Sequence, residues 1–228
     1  MNRFLALLML VLCSAVWAED WQLQSNRDTI AVYTADIPGQ ELRAFRGVTI
    51  VPAPIRSVVA LLGDVENMPA WFYQMKSARE LDQGPVHGHY QYLVIAGIWP
   101  VKDRDVVVRA STIQQSNGAI VITAIAQPDK LPRQDCCVRI PRLESTWLVR
   151  AVDGSRTEVT LTTSSHPGGS LPLWIANLVA TDMPRKTLEA LRTEVRKPAY
   201  AQVDSKGSAK SLEFLGRFSF RSTGAEEK

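Results

Sequence analysis

From Lys76 to Ser165 the chain is a run of six β-rich segments with no helix-length spacing between them. They read KSARELD, HYQYLVIA, DRDVVVRASTI, AIVITAIAQ, VRIPRLESTWLVRAV and TEVTLTTSS. Turn residues separate several of them, at Gly84–Gly88, Asn117–Gly118 and Asp153–Gly154, and the last two dipeptides are hairpin signals. Strands joined by such short links pair antiparallel, because a parallel pair needs a crossover of a dozen residues or more. The middle of the chain is therefore expected to be an antiparallel meander. Two further strands, TIAVYTADI and ELRAFRGVTIV, precede it and turn on Pro38–Gly39. Residues 20–28 read as a polar lead.

Helical spacing occurs in two places. In PIRSVVALL (54–62) the residues Ile55, Val58, Val59 and Leu62 share one stripe, and Pro54 suits a first turn. Glu66–Gln74 follows as a short helix or turn that carries Pro69 and Trp71-Phe72-Tyr73. The one long helix is expected over Leu171–Arg196, interrupted near Pro184. A sheet and a helix each have one apolar face to bury, so the economical α+β architecture packs this helix on a curved antiparallel sheet. Residues 201–228 are rich in Ser, Gly, Lys and Glu and read as a polar, mobile tail. They contain an apolar island, Leu212–Phe220, whose place stays open.

The first 18 residues have the form of a signal peptide: Arg3, the apolar run Phe4–Leu12, then Val16-Trp17-Ala18. That run is much shorter than the ~20 residues needed to span a bilayer. Cleavage after Ala18 would place a periplasmic or secreted domain at 19–200, followed by the tail. The chain has 26 basic and 23 acidic residues, and Arg3 is one of the former. So even a balance argues against a nucleic-acid partner. Beyond the leader the cysteines are Cys136 and Cys137. Neighbours form a disulfide only under strain, so two partly buried thiols are the favoured reading, with a redox pair or an interchain bridge as alternatives.

Catalytic chemistry finds little support. The three histidines accompany no Gly-x-Ser-x-Gly elbow and no His-Glu-x-x-His motif. His87 and His89 share a strand face but flank a glycine in a turn, without further ligands for a metal. Asp103 and Asp105 share a strand face too, and Lys102, Arg104 and Arg109 beside them point to ion pairing rather than to an acid and base. No catalytic residue, metal or cofactor is expected. What stands out is apolar surface at strand-to-helix junctions: Trp71-Phe72-Tyr73, Gly97-Ile98-Trp99-Pro100, and the helix opening Leu171, Leu173 and Trp174. Three such clusters suit the rim of a cavity between sheet and helix.

Two motifs carry a resemblance. Trp99-Pro100-x-x-x-Arg104-Asp105, leading into Val106–Val108, is similar to the tryptophan-proline…arginine-aspartate segment of START domains. Pro167-Gly168-Gly169-Ser170-Leu171-Pro172-Leu173-Trp174 resembles that family's approach to its C-terminal helix, and the order of elements agrees from Asp20 to Lys197. The resemblance implies a helix-grip fold, with the sheet wrapped around the long helix and an internal lipid cavity. It implies a monomeric, non-enzymatic lipid carrier, a phospholipid being the favoured cargo, that touches a membrane surface transiently. The loop 97–102 and the helix would gate the cavity. The residues expected to meet lipid are Trp71, Phe72, Tyr92, Trp99, Arg104 and Val106, and on later elements Val108, Trp147, Leu171, Trp174, Leu178 and Thr181. Several family members carry a second inward arginine six positions after the first. Here that position is Ala110, and Arg109 should point away. Two alternatives stay open: a helix-grip enzyme of the polyketide cyclase/aromatase type, and a lipid sensor with a protein partner.

Overall fold

The computed structural model describes residues 20–40, 42–82 and 88–220. The signal-peptide reading, His87 and residues 221–228 lie outside them. The described residues form one sheet of ten strands. Strands β1 (Gln22–Arg27), β2 (Ile30–Ala35) and β3 (Ala44–Val51) come first, then helix α1 (Ile55–Gly63) and a 3-10 turn at Val65–Ala70. Strands β4 (Met75–Asp82), β5 (His89–Ile95), β6 (Asp103–Gln114) and β7 (Ile120–Ala126) follow. Then come β8 (Cys137–Arg139), β9 (Arg142–Ala151), β10 (Thr157–His166) and the long helix α2 (Leu173–Glu194). The strand order is β1-β2-β3-β10-β9-β7-β6-β5-β4. The two ends of the chain's β structure meet where β3 pairs with β10, Val51 opposite Thr157 and Phe45 opposite Thr163.

Four expectations need correction here. The polar lead is β1, a mostly exposed strand whose residues 22–27 pair with β2. Its polar side chains face solvent, and backbone pairing alone makes it a strand. The meander is not wholly antiparallel, because β8 runs parallel to β6 over Asp103–Asp105. Strand β7 reaches only Val108–Gln114 of the twelve-residue β6, and β8 occupies the backbone groups that β7 leaves free. Third, α2 runs straight through Pro184. A proline inside a helix costs ~3 kcal/mol, but Leu188, Leu191 and Val195 beyond it are completely buried, and that packing outweighs the defect. Fourth, Cys136 and Cys137 are joined as a vicinal disulfide rather than free.

The packed core lies under the C-terminal half of α2. Val58, Val59 and Leu61 of α1, Leu161 of β10, and Leu188 and Leu191 form one cluster. Gly47 of β3 makes the close approach of α2 possible: a Cβ there would sit 2.7 Å from Leu188 Cδ1 and 3.2 Å from Pro184 Cβ.

The tail also differs from expectation. It continues as α3 (Pro198–Ala201), α4 (Val203–Lys206) and α5 (Ala209–Leu215), folded back over α1. Tyr200 donates to Asp64 at 2.8 Å, and burial followed by that carboxylate pushes its phenol pKa well up. Arg56 pairs with Asp204 at 2.8 Å, and Gln114 exchanges two hydrogen bonds with the backbone of Ser219. Phe214 lies against Gly63, where a Cβ would come within 2.5 Å of the ring. The apolar island thus has its place, with Leu215 fully buried and Phe214, Phe218 and Phe220 packed on the core.

Candidate functional site

Under the N-terminal half of α2 the sheet and helix do not close on one another. They leave a cavity with about 1420 Å³ of empty space, counting the part open at its mouth. Its walls follow strand parity. From β6 come Arg104, Val106, Val108 and Ala110; from β5 come Gln91, Leu93 and Ile95; from β9 come Leu143, Ser145 and Trp147. The roof is Ile175, Leu178, Val179 and Met183, the underside of the helix, with Leu171 just ahead of it. Phe45, Leu62, Met68 and Phe72 close the end nearest the core.

Among these lining residues Arg104 is the one charged side chain. It is 9% exposed, its Nη1 donates to the Lys102 carbonyl at 2.6 Å, and its Nε is buried without a partner among the described residues. Burial lowers its pKa, yet a guanidinium stays charged. Asp105, beside it in sequence, faces the other side of the sheet. There it binds Arg139 at 2.8 Å and accepts from Tyr92 Oη at 3.1 Å. Burial, then the Asp105 charge, raise the Tyr92 pKa. Asp103 pairs with Lys76 at 2.8 Å. The two aspartates are ion-paired as expected, but with Lys76 and Arg139 rather than with Lys102, Arg104 or Arg109. His89 Nε2 lies 3.3 Å from Arg217, which can only donate to it. No cluster of three or more metal-ligating side chains occurs among the described residues.

Two structures border the mouth. The loop 97–102 is tied at its base by Asp103, whose carboxylate accepts the Gly97 N–H at 2.9 Å. Hydrogen bonding from Lys76, then from Gly97, lowers the Asp103 pKa. The loop tip is Trp99, 87% exposed and joined to Pro100 by a cis peptide bond. On the other side, Gly168 and Gly169 have φ of +67° and +63°, which release the chain from β10 towards α2. A side chain at Gly168 would strike the Arg139 carbonyl. Pro172 caps α2 just ahead of its first turn, and Trp174 is 52% exposed.

Of the twelve residues expected to meet lipid, seven line the cavity: Phe72, Arg104, Val106, Val108, Trp147, Leu171 and Leu178. Five do not. Trp71 is buried behind the wall, edge-on to Trp147 at 6.0 Å. Tyr92 points to the outer face, since Gln91 and Leu93 take the inner one. Trp99 and Trp174 face solvent at the mouth, and Thr181 returns its hydroxyl to the Asn177 carbonyl at 3.0 Å. Gln91, Leu93, Ile95 and Met183 are among the lining residues that sequence reasoning missed, as are Phe45, Leu143 and Ser145. For β5 the missing signal was register: Leu93 lies opposite Val106, so the two share a face. Ala110 lines the cavity and Arg109 is exposed, the parity expected for the missing second arginine.

Comparison with known proteins agrees with this architecture. The START domain family matches residues 6–195. An uncharacterised protein of Pseudomonas aeruginosa is 33% identical over 196 residues, 83% of this chain and 96% of that protein. The crystal structure of a STAR-related lipid transfer protein fragment from Xanthomonas axonopodis is 33% identical with a TM-score of 0.71, over 78% of this chain and 99% of that one. Human STARD10 superposes with a TM-score of 0.74 at 17% identity, over 90% of this chain and 89% of its own, a likeness of fold alone. With its ten-stranded sheet gripping one long helix over an apolar cavity, the chain belongs to the START domain family.

Proposed function

We propose that this protein holds a lipid in the cavity beneath α2 and carries it, chemically unchanged, between membranes. The observation that carries this reading is the cavity wall: large, apolar, and interrupted by a single charged side chain among its lining residues. Burying hydrocarbon is worth roughly 0.8 kcal/mol per methylene, so a two-chain lipid of about thirty methylenes would forfeit ~20 kcal/mol on release into water. Release therefore happens against a membrane. Trp99 and Trp174 border the mouth from opposite sides and are exposed, and indole suits the interface between head groups and acyl chains. In this reading the loop 97–102 and the first turns of α2 part at the bilayer, and the leader 1–18 exports the domain to the periplasm. A phospholipid is the favoured cargo.

The test is native mass spectrometry of the purified protein, followed by lipid extraction and a vesicle-to-vesicle transfer assay. Co-purified lipid of unaltered mass, delivered to acceptor vesicles, is the expected result. A protein that arrives empty and takes up nothing from vesicles refutes the proposal, and a lipid recovered with altered mass makes the protein an enzyme.

A further inference from the structure

Strand β8 begins at the vicinal disulfide between Cys136 and Cys137. A cross-link stabilises a fold by closing a loop, and does so more strongly the longer the loop. Neighbouring residues close the shortest loop there is, so this bond ties no two distant parts of the fold together. Cys136 is exposed, and Cys137 is half-buried against the cluster of Tyr92, Val94 and Val107. A thiolate can therefore reach the pair from solvent at Cys136, and exposed disulfides are the readily exchanged ones.

The two ends of β8 are held very differently. At its far end Arg139 is 4% exposed and donates to the carbonyls of Pro128 at 2.5 Å, Leu131 at 2.9 Å and Pro132 at 3.0 Å, besides its pair with Asp105. At the near end Cys137 lies opposite Asp103, and its N–H donates to the Gln134 carbonyl at 3.2 Å. Among the described residues Cys137 is the one strand partner of Asp103: the ladder with β5 ends at Arg104, and that with β7 starts at Val108. Asp103 in turn accepts from Gly97 and so holds the base of the loop 97–102. The disulfide closes a small ring that contains the peptide bond between the two cysteines, which restricts the backbone where β8 meets Asp103. Opening the ring frees that backbone, while the Arg139 end stays anchored.

We propose that Cys136 and Cys137 form a redox site, opened by thiol–disulfide exchange with a dithiol, and that its state sets how firmly the loop 97–102 is held at the cavity mouth. A thiolate of the dithiol attacks Sγ of Cys136 and forms a mixed disulfide. The bond between the cysteines breaks, and Sγ of Cys137 leaves as a thiolate and takes up a proton. The second thiol of the reductant then loses its proton and attacks the reductant's own sulfur in the mixed disulfide. The reductant departs with an internal disulfide, and Sγ of Cys136 leaves and is protonated. In sum the protein gains two electrons and two protons, and the dithiol gives them up. The inference goes beyond the carrier reading, and its test needs no cargo.

Full-length folded protein is treated with an excess of dithiothreitol, a small dithiol, then alkylated with iodoacetamide and digested with trypsin. The peptide 134–139, which holds both cysteines and no other, should carry two alkyl groups after the treatment and none without it. Amide hydrogen exchange is then compared between the two states. The Gly97 amide should exchange about tenfold faster in the reduced protein. Gly168, which packs on the Arg139 carbonyl, and Leu191 in the core should be unchanged. Reoxidation should restore the slow rate, and a Cys136→Ser/Cys137→Ser variant should exchange fast with or without the dithiol. A pair that stays closed in the folded protein, while the same treatment opens it in denaturant, overturns the proposal. So does a reduced pair with Gly97 exchange unchanged, which cuts the link to the loop. Equal acceleration at Gly97, Gly168 and Leu191 overturns it as well, because it means general loosening rather than control of the mouth.

Discussion

One helix does two different jobs along its length. Beyond Pro184, α2 is core: Leu188, Leu191 and Val195 are fully buried against the sheet and α1. Before Pro184 it is a roof, with Ile175, Leu178, Val179 and Met183 facing the cavity. The boundary is marked twice. Thr187 Oγ1 accepts from the Tyr73 backbone at 3.3 Å, and Lys186 donates to Tyr73 Oη at 3.2 Å. Gly47 lies directly beneath, admitting Leu188 and Pro184. Stability is therefore concentrated in one half, which leaves the other half free to be displaced by a ligand.

The sharpest way to expose this difference is the same truncation in both halves. Leu188→Ala should cost about 3 kcal/mol of unfolding free energy, because a cavity opens in packed core. Leu178→Ala should cost less than about 1 kcal/mol, because Leu178 lines the cavity and its truncation opens no new hole in packed core. Denaturant titration of both variants checks this, and equal costs would mean that the roof is packed as tightly as the core. Gly47→Val comes next. Its Cβ would crowd Leu188 and the rigid Pro184 ring, for an expected loss of about 1–3 kcal/mol. Most of that loss should be recovered in a double variant with Leu188→Ala, which clears the space.

How much of this could be read from the residues also divides along the molecule. Strands bounded by turn residues were legible, and so were the two glycines before α2, because period two and positive φ leave local marks. The inner face of β5 was not. Tyr92 and Val94 are buried under Leu131 and Cys137 on the outer side, while Leu93 and Ile95 are apolar towards the cavity. With both faces covered, alternation disappears and pairing register alone decides. The tail was misread for a different reason. Its average composition is polar, and docking rests on Leu215 and the three phenylalanines at 214, 218 and 220. Pro184 marks an interruption by local propensity alone, and the packing of Leu188 and Leu191 beyond it overrides that propensity.

At the mouth, effects on motion should exceed effects on stability. Trp99→Asp and Trp174→Asp remove exposed rings, so each should leave the unfolding free energy within about 0.5 kcal/mol of its natural value. Each should also slow vesicle-to-vesicle transfer about tenfold, since a charge replaces an interfacial anchor. Unchanged transfer by both would place the gate elsewhere.

The smallest expected effect is that of acid on the base of the loop 97–102. Asp103 has its pKa lowered from the ordinary 3.8 by Lys76 and then by the Gly97 N–H. The folded state therefore releases that proton more readily than the unfolded chain does. The contribution is fully present above about pH 3.8, and it is lost as pH falls through the lower folded value. An NMR titration of the Gly97 amide should show a step with its midpoint below 3.8, absent in Asp103→Asn. A step at or above 3.8 would mean that the loop is not held through Asp103, and that its rest position depends on the apolar contacts of Ile98 and Val101 with the cavity instead.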